Sequence, residues 1–218
     1  MLFRSELRGD PAEAQASTTL DFNVEEFLPE RMKLDLGADK TPLKPGDSWQ
    51  LAVTGNYLYG APAAGNRLLG VVNTARSASP LAALPGFVFG DADEDSTRSR
   101  QELAESQLDD AGKAAVDIDF SSLEGRRSPF SVRATLSLLE SGGRPVIRSI
   151  ERTWWPAPEM VGVRPLFAGA YAREGSRAEF EVVLADNAGK LKAGKALPVR
   201  MFRENRDYYW RFDDQRGW

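Results

Sequence analysis

Four carboxylates stand at a spacing with a known chemistry. Asp91, Asp93, Asp95 and Glu102 fall at positions 1, 3, 5 and 12 of a calcium loop of the EF-hand type. A hard cation takes several carboxylate oxygens on one tight turn, and this spacing is able to supply them. The rest of the pattern departs: position 6, where the turn calls for glycine, is Ser96, and position 8 is Arg98 instead of an apolar anchor. The plainer reading is a solvated acidic insertion, and no metal site is assigned there. Asp109-Asp110 and the pair Asp117 and Asp119 have the residue types of a glycosidase, which needs two carboxyls flanking one bond. Asp109-Asp110, however, opens the turn Asp-Asp-Ala-Gly-Lys, similar to Asp-Asn-Ala-Gly-Lys at 186–190, and Asp117 and Asp119 sit on the water side of an alternating run. A third group, Trp154, Trp155, Tyr208, Tyr209, Trp210 and Trp218, has the makings of a sugar-stacking platform; rings at the end of a strand more commonly pack into a domain junction.

The inventory behind these groups is poor. The 218 residues include no Cys and no His, which removes disulfides, thiolate nucleophiles, Cys/His zinc sites, Ser-His-Asp triads and any His general base. No catalytic, cofactor-binding or metal residue is assigned, no cofactor is expected, and the chain is read as non-enzymatic. A net charge of -4, with Lys and Arg scattered among the acids, argues against a nucleic-acid partner. Met1 to Pro11 has no apolar leader core, and runs such as Leu68-Leu69-Gly70-Val71-Val72 are too short to span a bilayer.

The elements that would position any site have a period of two. Trp49, Leu51, Val53, Gly55 and Tyr57 alternate with Gln50, Ala52, Thr54 and Asn56; Val116, Ile118 and Phe120 with Asp117 and Asp119; Phe130, Val132, Ala134, Leu136 and Leu138 with Ser131, Arg133, Thr135 and Ser137. Phe180, Val182 and Leu184 make a further apolar face, followed by Leu197, Val199 and Met201 and by Tyr208, Trp210 and Phe212. Short half-buried strands separated by Gly, Pro and Asp turns predict an all-β sandwich architecture. Residues 96–108 have a thin helical face, Leu103, Ala104 and Leu108, with Ser96 or Thr97 as a cap; a loop followed by a short edge strand is preferred. The long excursion 75–95 is a candidate docking segment or decoy cleavage site. The preferred reading has Leu81, Leu84, Phe87 and Phe89 tucked over the sandwich edge.

An internal repeat organises the whole. At an offset of 129 residues Pro29-Glu30 meets Pro158-Glu159, Met32 and Leu34 meet Val161 and Val163, Gly46 meets Gly175, and Leu51 and Val53 meet Phe180 and Val182. Gly60, Gly65 and Leu68 then meet Gly189, Gly194 and Leu197 without a gap. The division this predicts is 1–27, the last strands of a preceding unit with a linker; 28–156, a complete unit; and 157–218, the first half of a following one. A longer array is therefore expected. Half a sandwich leaves a core face to be covered, so the C-terminal part is expected to be mobile, swapped or dimerised without a partner.

Four passages carry a family resemblance: the crossing Asp21-Phe22-Asn23-Val24-Glu25-Glu26-Phe27-Leu28-Pro29-Glu30-Arg31-Met32, the turn Tyr57-Leu58-Tyr59-Gly60-Ala61-Pro62-Ala63-Ala64-Gly65, the hairpin Gly142-Gly143-Arg144-Pro145-Val146-Ile147-Arg148-Ser149, and Asp207-Tyr208-Tyr209-Trp210 with Gly217-Trp218. Together they resemble the macroglobulin-like domains of bacterial alpha-2-macroglobulins. The resemblance implies tandem seven-stranded antiparallel β-sandwiches of fibronectin/immunoglobulin-like shape. It implies a large parent that exposes a bait segment to proteases and collapses around the one that cuts it, in many members bonding it through a Cys-Gln thioester. It further implies a periplasmic location, inner-membrane anchoring through the parent, protection of the cell envelope and, in some members, work beside a peptidoglycan synthase. With no Cys, the thioester cannot lie here. In the family the bait lies in a later domain. The expected partners are neighbouring macroglobulin-like domains and, through the parent, target proteases.

The resulting expectation is a scaffold of rigid sandwiches that rotate at Leu28-Pro29-Glu30 and Pro156-Ala157-Pro158 when the trap closes. The rival from another class is a cell-surface adhesive or carbohydrate-binding β-sandwich array, which would use the exposed aromatics or the acidic loop.

Overall fold

The computed structural model describes residues 2–7, 18–23, 30–37, 39–95, 98–140, 144–169, 171–194 and 197–200. Among these the regular structure is β strand, with a single turn of 3-10 helix at Ser121–Leu123. Strands β1 (Leu2–Leu7) and β2 (Thr18–Asn23) form an antiparallel hairpin. The sandwich that follows is built from two sheets. One runs β3 (Met32–Leu36), β4 (Trp49–Tyr57), β9 (Lys113–Ile118); the other runs β11 (Val146–Trp154), β10 (Phe130–Leu139), β5 (Arg67–Arg76), β7 (Ser99–Glu102). The segment expected as loop and edge strand is β7 together with β8 (Ser106–Gln107), both pairing with β5.

The alternation read from the sequence points inward here. Met32, Leu34, Trp49, Leu51, Val53, Val116 and Ile118 from the first sheet meet Leu68, Val72, Val132, Ala134, Leu136 and Leu138 from the second in one buried cluster. Gly55 is required by this packing. A Cβ there would lie 2.6 Å from Leu108 Cδ1 and 2.8 Å from Leu138 Cδ2, so the two leucines fill the space over bare backbone.

Strands β12 (Glu159–Pro165) and β13 (Phe180–Asp186) begin the repeat, at the places where a shift of 129 residues puts β3 and β4. The equivalence reaches single hydrogen bonds. The N–H groups of Tyr57, Gly60 and Ala63 donate to the carbonyls of Ala61, Tyr57 and Gly55 (2.8, 2.9 and 3.0 Å), and those of Asp186, Gly189 and Lys192 to Lys190, Asp186 and Leu184 (3.1, 2.9 and 2.8 Å). The isolated bridge Asn56–Pro62 likewise has its counterpart in Ala185–Leu191. The strand register differs by two residues: Leu34 faces Gly55, whereas Val163 faces Val182. An even shift leaves every side chain on its original face.

In the second unit the face that the repeat makes the core face is exposed, as expected of half a sandwich, and it is the opposite face that is covered. Phe180 and Val182 are 56% and 43% exposed, and Val161 and Val163 are exposed as well, while Met160 and Ala185 are buried. Both faces of this hairpin carry apolar residues, and the face with Met160 and Ala185 is covered from the first unit. It follows that Val53→Ala should cost about 2 kcal/mol in chemical denaturation. The repeat-equivalent Val182→Ala should cost less than about 0.5 kcal/mol.

Candidate functional site: the joint between the two units

Between β5 and β7 the chain leaves the sandwich and returns. The excursion is tied down at both feet. Ser77 N–H donates to the Pro129 carbonyl (2.9 Å) at its start. At its end, Gly90 adopts φ 88° and lies so close to Ser128 that a Cβ would meet the serine Cα at 2.5 Å. Ser128, itself fully buried, accepts the Asp91 N–H on Oγ (2.9 Å) and donates to the Asp91 carbonyl (3.3 Å). Glu94 completes the anchor: its carboxylate accepts the N–H groups of Arg127 (3.0 Å) and Ser128 (2.7 Å). Burial works against ionisation of Glu94, but the hydrogen bonds from Ser128 and Arg127, helped by the Arg126 charge, outweigh it and hold the carboxyl below the ordinary glutamate range.

From these anchors the excursion projects a two-residue strand, β6 (Val88–Phe89), which pairs antiparallel with β12: Phe89 faces Gly162 and Val88 faces Val163. Strand β6 thereby extends the sheet of the next unit to three strands, in the order β13-β12-β6. Phe89 is wholly buried in a cluster with Phe87, Trp155, Met160 and Ala185, and Leu81, Leu84, Ala157 and Val183 pack around it. The Phe89 and Trp155 rings lie 5.5 Å apart at 56°. Gly162 makes the seat, because a Cβ there would lie 2.6 Å from both Cε1 and Cζ of Phe89. Arg164 works from the same strand. Its guanidinium stands 4.6 Å over the Phe87 ring, donates to the Pro85 carbonyl (3.2 Å) and pairs with Glu181 on β13. The polypeptide between the units is held from the other side, where Trp155 N–H donates to the Leu43 carbonyl (2.7 Å).

The residues weighed for chemistry take other places. Asp91 pairs with Arg127 (3.4 Å) and its Oδ1 accepts the Asp93 N–H (3.0 Å), while Glu102 sits exposed on β7; no group of three or more ligating side chains converges among the described residues. Asp109 Oδ1 accepts the N–H groups of Ala111 (2.9 Å) and Lys113 (2.8 Å), which is the turn role expected of it. Asp117 accepts from Gln50 (3.2 Å), and Asp119 accepts the Ser121 N–H (2.8 Å), a bond that comes first in holding its carboxyl below the usual range. Trp154 and Trp155 are 0% and 1% exposed, one in each apolar cluster, so neither offers a ring face to a sugar. Tyr208, Tyr209, Trp210 and Trp218 lie outside the described residues. Gly162, Arg164 and the Gly90–Ser128 approach were not singled out in the sequence. A lone glycine inside the apolar run 160–163 was the available signal, since such a glycine marks a close approach to backbone.

An intact sandwich joined to the next by a strand it donates defines a tandem β-sandwich protein, in which each joint is a structural element of its own. Residues 30–156 match the family model described as the bacterial alpha-2-macroglobulin MG5 domain, and residues 162–218 the one described as bacterial macroglobulin domain 6. The chain belongs to the bacterial alpha-2-macroglobulin family. It is 44% identical over 213 residues to the alpha-2-macroglobulin of Escherichia coli (strain K12), taking in 91% of this chain and 13% of that relative. Among solved structures it is similar to the native conformation of the E. coli protein, at 42% identity and a TM-score of 0.78 over 96% of this chain and 14% of that one. It is similar also to the E. coli protein activated by porcine elastase, at 44% identity and a TM-score of 0.76 over 95% of this chain and 19% of that one.

Two outcomes are expected here. The Glu94 carboxyl is depressed, so its contribution is complete above the unfolded glutamate value of about 4.3 and is lost as pH falls through the lower folded value. The protection of the Arg127 and Ser128 amides against hydrogen exchange, relative to their intrinsic rates, should fall through that acid window, and Glu94→Gln should flatten the dependence. For the acidic loop, millimolar calcium should leave the thermal midpoint unchanged; a rise would reveal a bound ion through ligand linkage.

Proposed function

We propose that this chain is non-catalytic scaffold from a protease-trapping parent, in which it holds the bait and trapping domains of the larger molecule at set positions. The divisions we propose are 1–27 for the end of a preceding macroglobulin-like domain, 28–156 for a complete one and 157–218 for the first half of the next. The parent would act in the periplasm, anchored to the inner membrane, to protect the cell envelope from proteases of broad range, in some settings beside a peptidoglycan synthase. The observation that carries the reading is the order of the family matches: an MG5 model and then a domain 6 model, consecutive on one chain. The likeness to an E. coli protein described as activated by porcine elastase supports a protease as the parent's target.

The test uses the chain and its parent side by side with elastase. A trap that encloses a protease hinders large substrates sterically and leaves small ones free to enter. The parent should therefore slow digestion of a protein substrate while sparing a small chromogenic peptide, and the 218-residue chain alone should do neither. A parent without effect on either substrate overturns the reading, as does inhibition by the isolated chain.

A further inference from the structure

The two Pro-containing linkers suggest hinges, yet the residues around the second describe a different kind of joint. We infer that the joint at Pro156-Ala157-Pro158 is locked, so that the two units turn as one body, and that the lock is strand β6 with Phe89 seated on Gly162. The inference deepens the proposed function, since it states where the proposed trap does not bend.

Rotation about 156–158 would have to break several unlike interactions together. The β6–β12 ladder would part at Phe89–Gly162 and Val88–Val163. Phe89 would leave a fully buried seat, and Phe87, Met160 and Ala185 would be uncovered with it. Arg164 would lose the Pro85 carbonyl and the Phe87 ring at once. Gly189, in the turn after β13, would separate from Ala83, whose methyl lies 3.3 Å from the place a Cβ would take. The linker itself has little freedom. Pro156 and Pro158 fix φ, and Trp155 N–H is held by the Leu43 carbonyl. Nor can the clasp travel with the second unit, because Ser77 at one foot and Gly90, Asp91 and Glu94 at the other bind it to the first.

The internal repeat offers a comparison for the seat. Lys33 stands where the repeat places Gly162, and it carries a side chain ion-paired to Asp35 (2.8 Å). At Lys33, unlike Gly162, a side chain stands at the equivalent position of the strand.

The chain has no Cys, so spin labels go only where cysteines are introduced. Nitroxides at Lys113→Cys, on the first unit, and Glu179→Cys, beside β13, report the angle between the units by pulsed dipolar spectroscopy. The unaltered joint should give one narrow distance distribution. Phe89→Ala, which empties the seat, and Gly162→Val, which fills it from the other side, should each broaden the distribution by about twofold or more. Hydrogen exchange on β4 and β10 shows that the first unit remains folded in both. A broad distribution in the unaltered joint overturns the lock. A narrow one in either variant overturns its assignment to Phe89 on Gly162. No protease enters this measurement, so its failure is distinct from a failure of the proposed trapping activity.

Discussion

The contact of the Phe89 ring with the bare backbone of Gly162 is the constraint around which the rest of the second unit is arranged. A strand of two residues contributes little ladder by itself. Its weight comes from the ring at its end, which is fully buried and touches both the last tryptophan of the first unit and the second strand-pair. Burial of an aromatic side chain of this size is worth roughly 1.5–3 kcal/mol by area, and the cavity left by its loss adds to that. The anchoring at Ser128 and Glu94 has meaning in this light: a ring can hold another domain in place only if its own stem is fixed. Gly90 at the root of the excursion and Gly162 at its tip play the same part, each removing a Cβ so that two backbones can close.

Much of the fold was legible because the first unit follows simple rules. Trp49, Leu51 and Val53 alternate with polar partners, so water and core are assigned by the pattern itself. The turn glycines at 46, 60, 175 and 189 carry the positive φ that their spacing demanded. The repeat was visible for the same reason: glycines and core apolars are the positions that geometry least allows to vary. The joint was less legible. Leu81, Leu84, Phe87 and Phe89 suggest a cover for the edge of their own sandwich, whereas the cluster they enter is separate from its core and includes Met160 and Ala185 of the following unit. No local pattern could say so, since the partner lies some seventy residues downstream. Val183 and Ala185 show the same limit: the exposed face through Phe180 and Val182 is the one half a sandwich leaves open, whereas the cover over the opposite face comes from a non-local contact.

The acidic groups illustrate how often spacing suggestive of chemistry serves backbone satisfaction instead. Asp91, Asp109 and Asp186 each accept backbone N–H groups two to four residues on, and Glu94 does the same for a turn more than thirty residues away. Short acidic side chains satisfy turn donors that no strand partner reaches. For Asp186 the Lys190 N–H comes first among the causes that keep its carboxyl below the usual range.

The physical boundary between the units does not coincide with the covalent one. The polypeptide passes from one sandwich to the next at 156–158, but the sheet of the second unit already includes Val88 and Phe89. Cutting the chain at that point, in a laboratory or by genetic recombination, would strip β12 of its neighbour and leave an apolar finger on the first piece. A transplanted second unit would need glycine at the position of Gly162, and a transplanted first unit would need to bring its whole excursion. The smallest portable module here is therefore a pair, in which clasp and seat travel together.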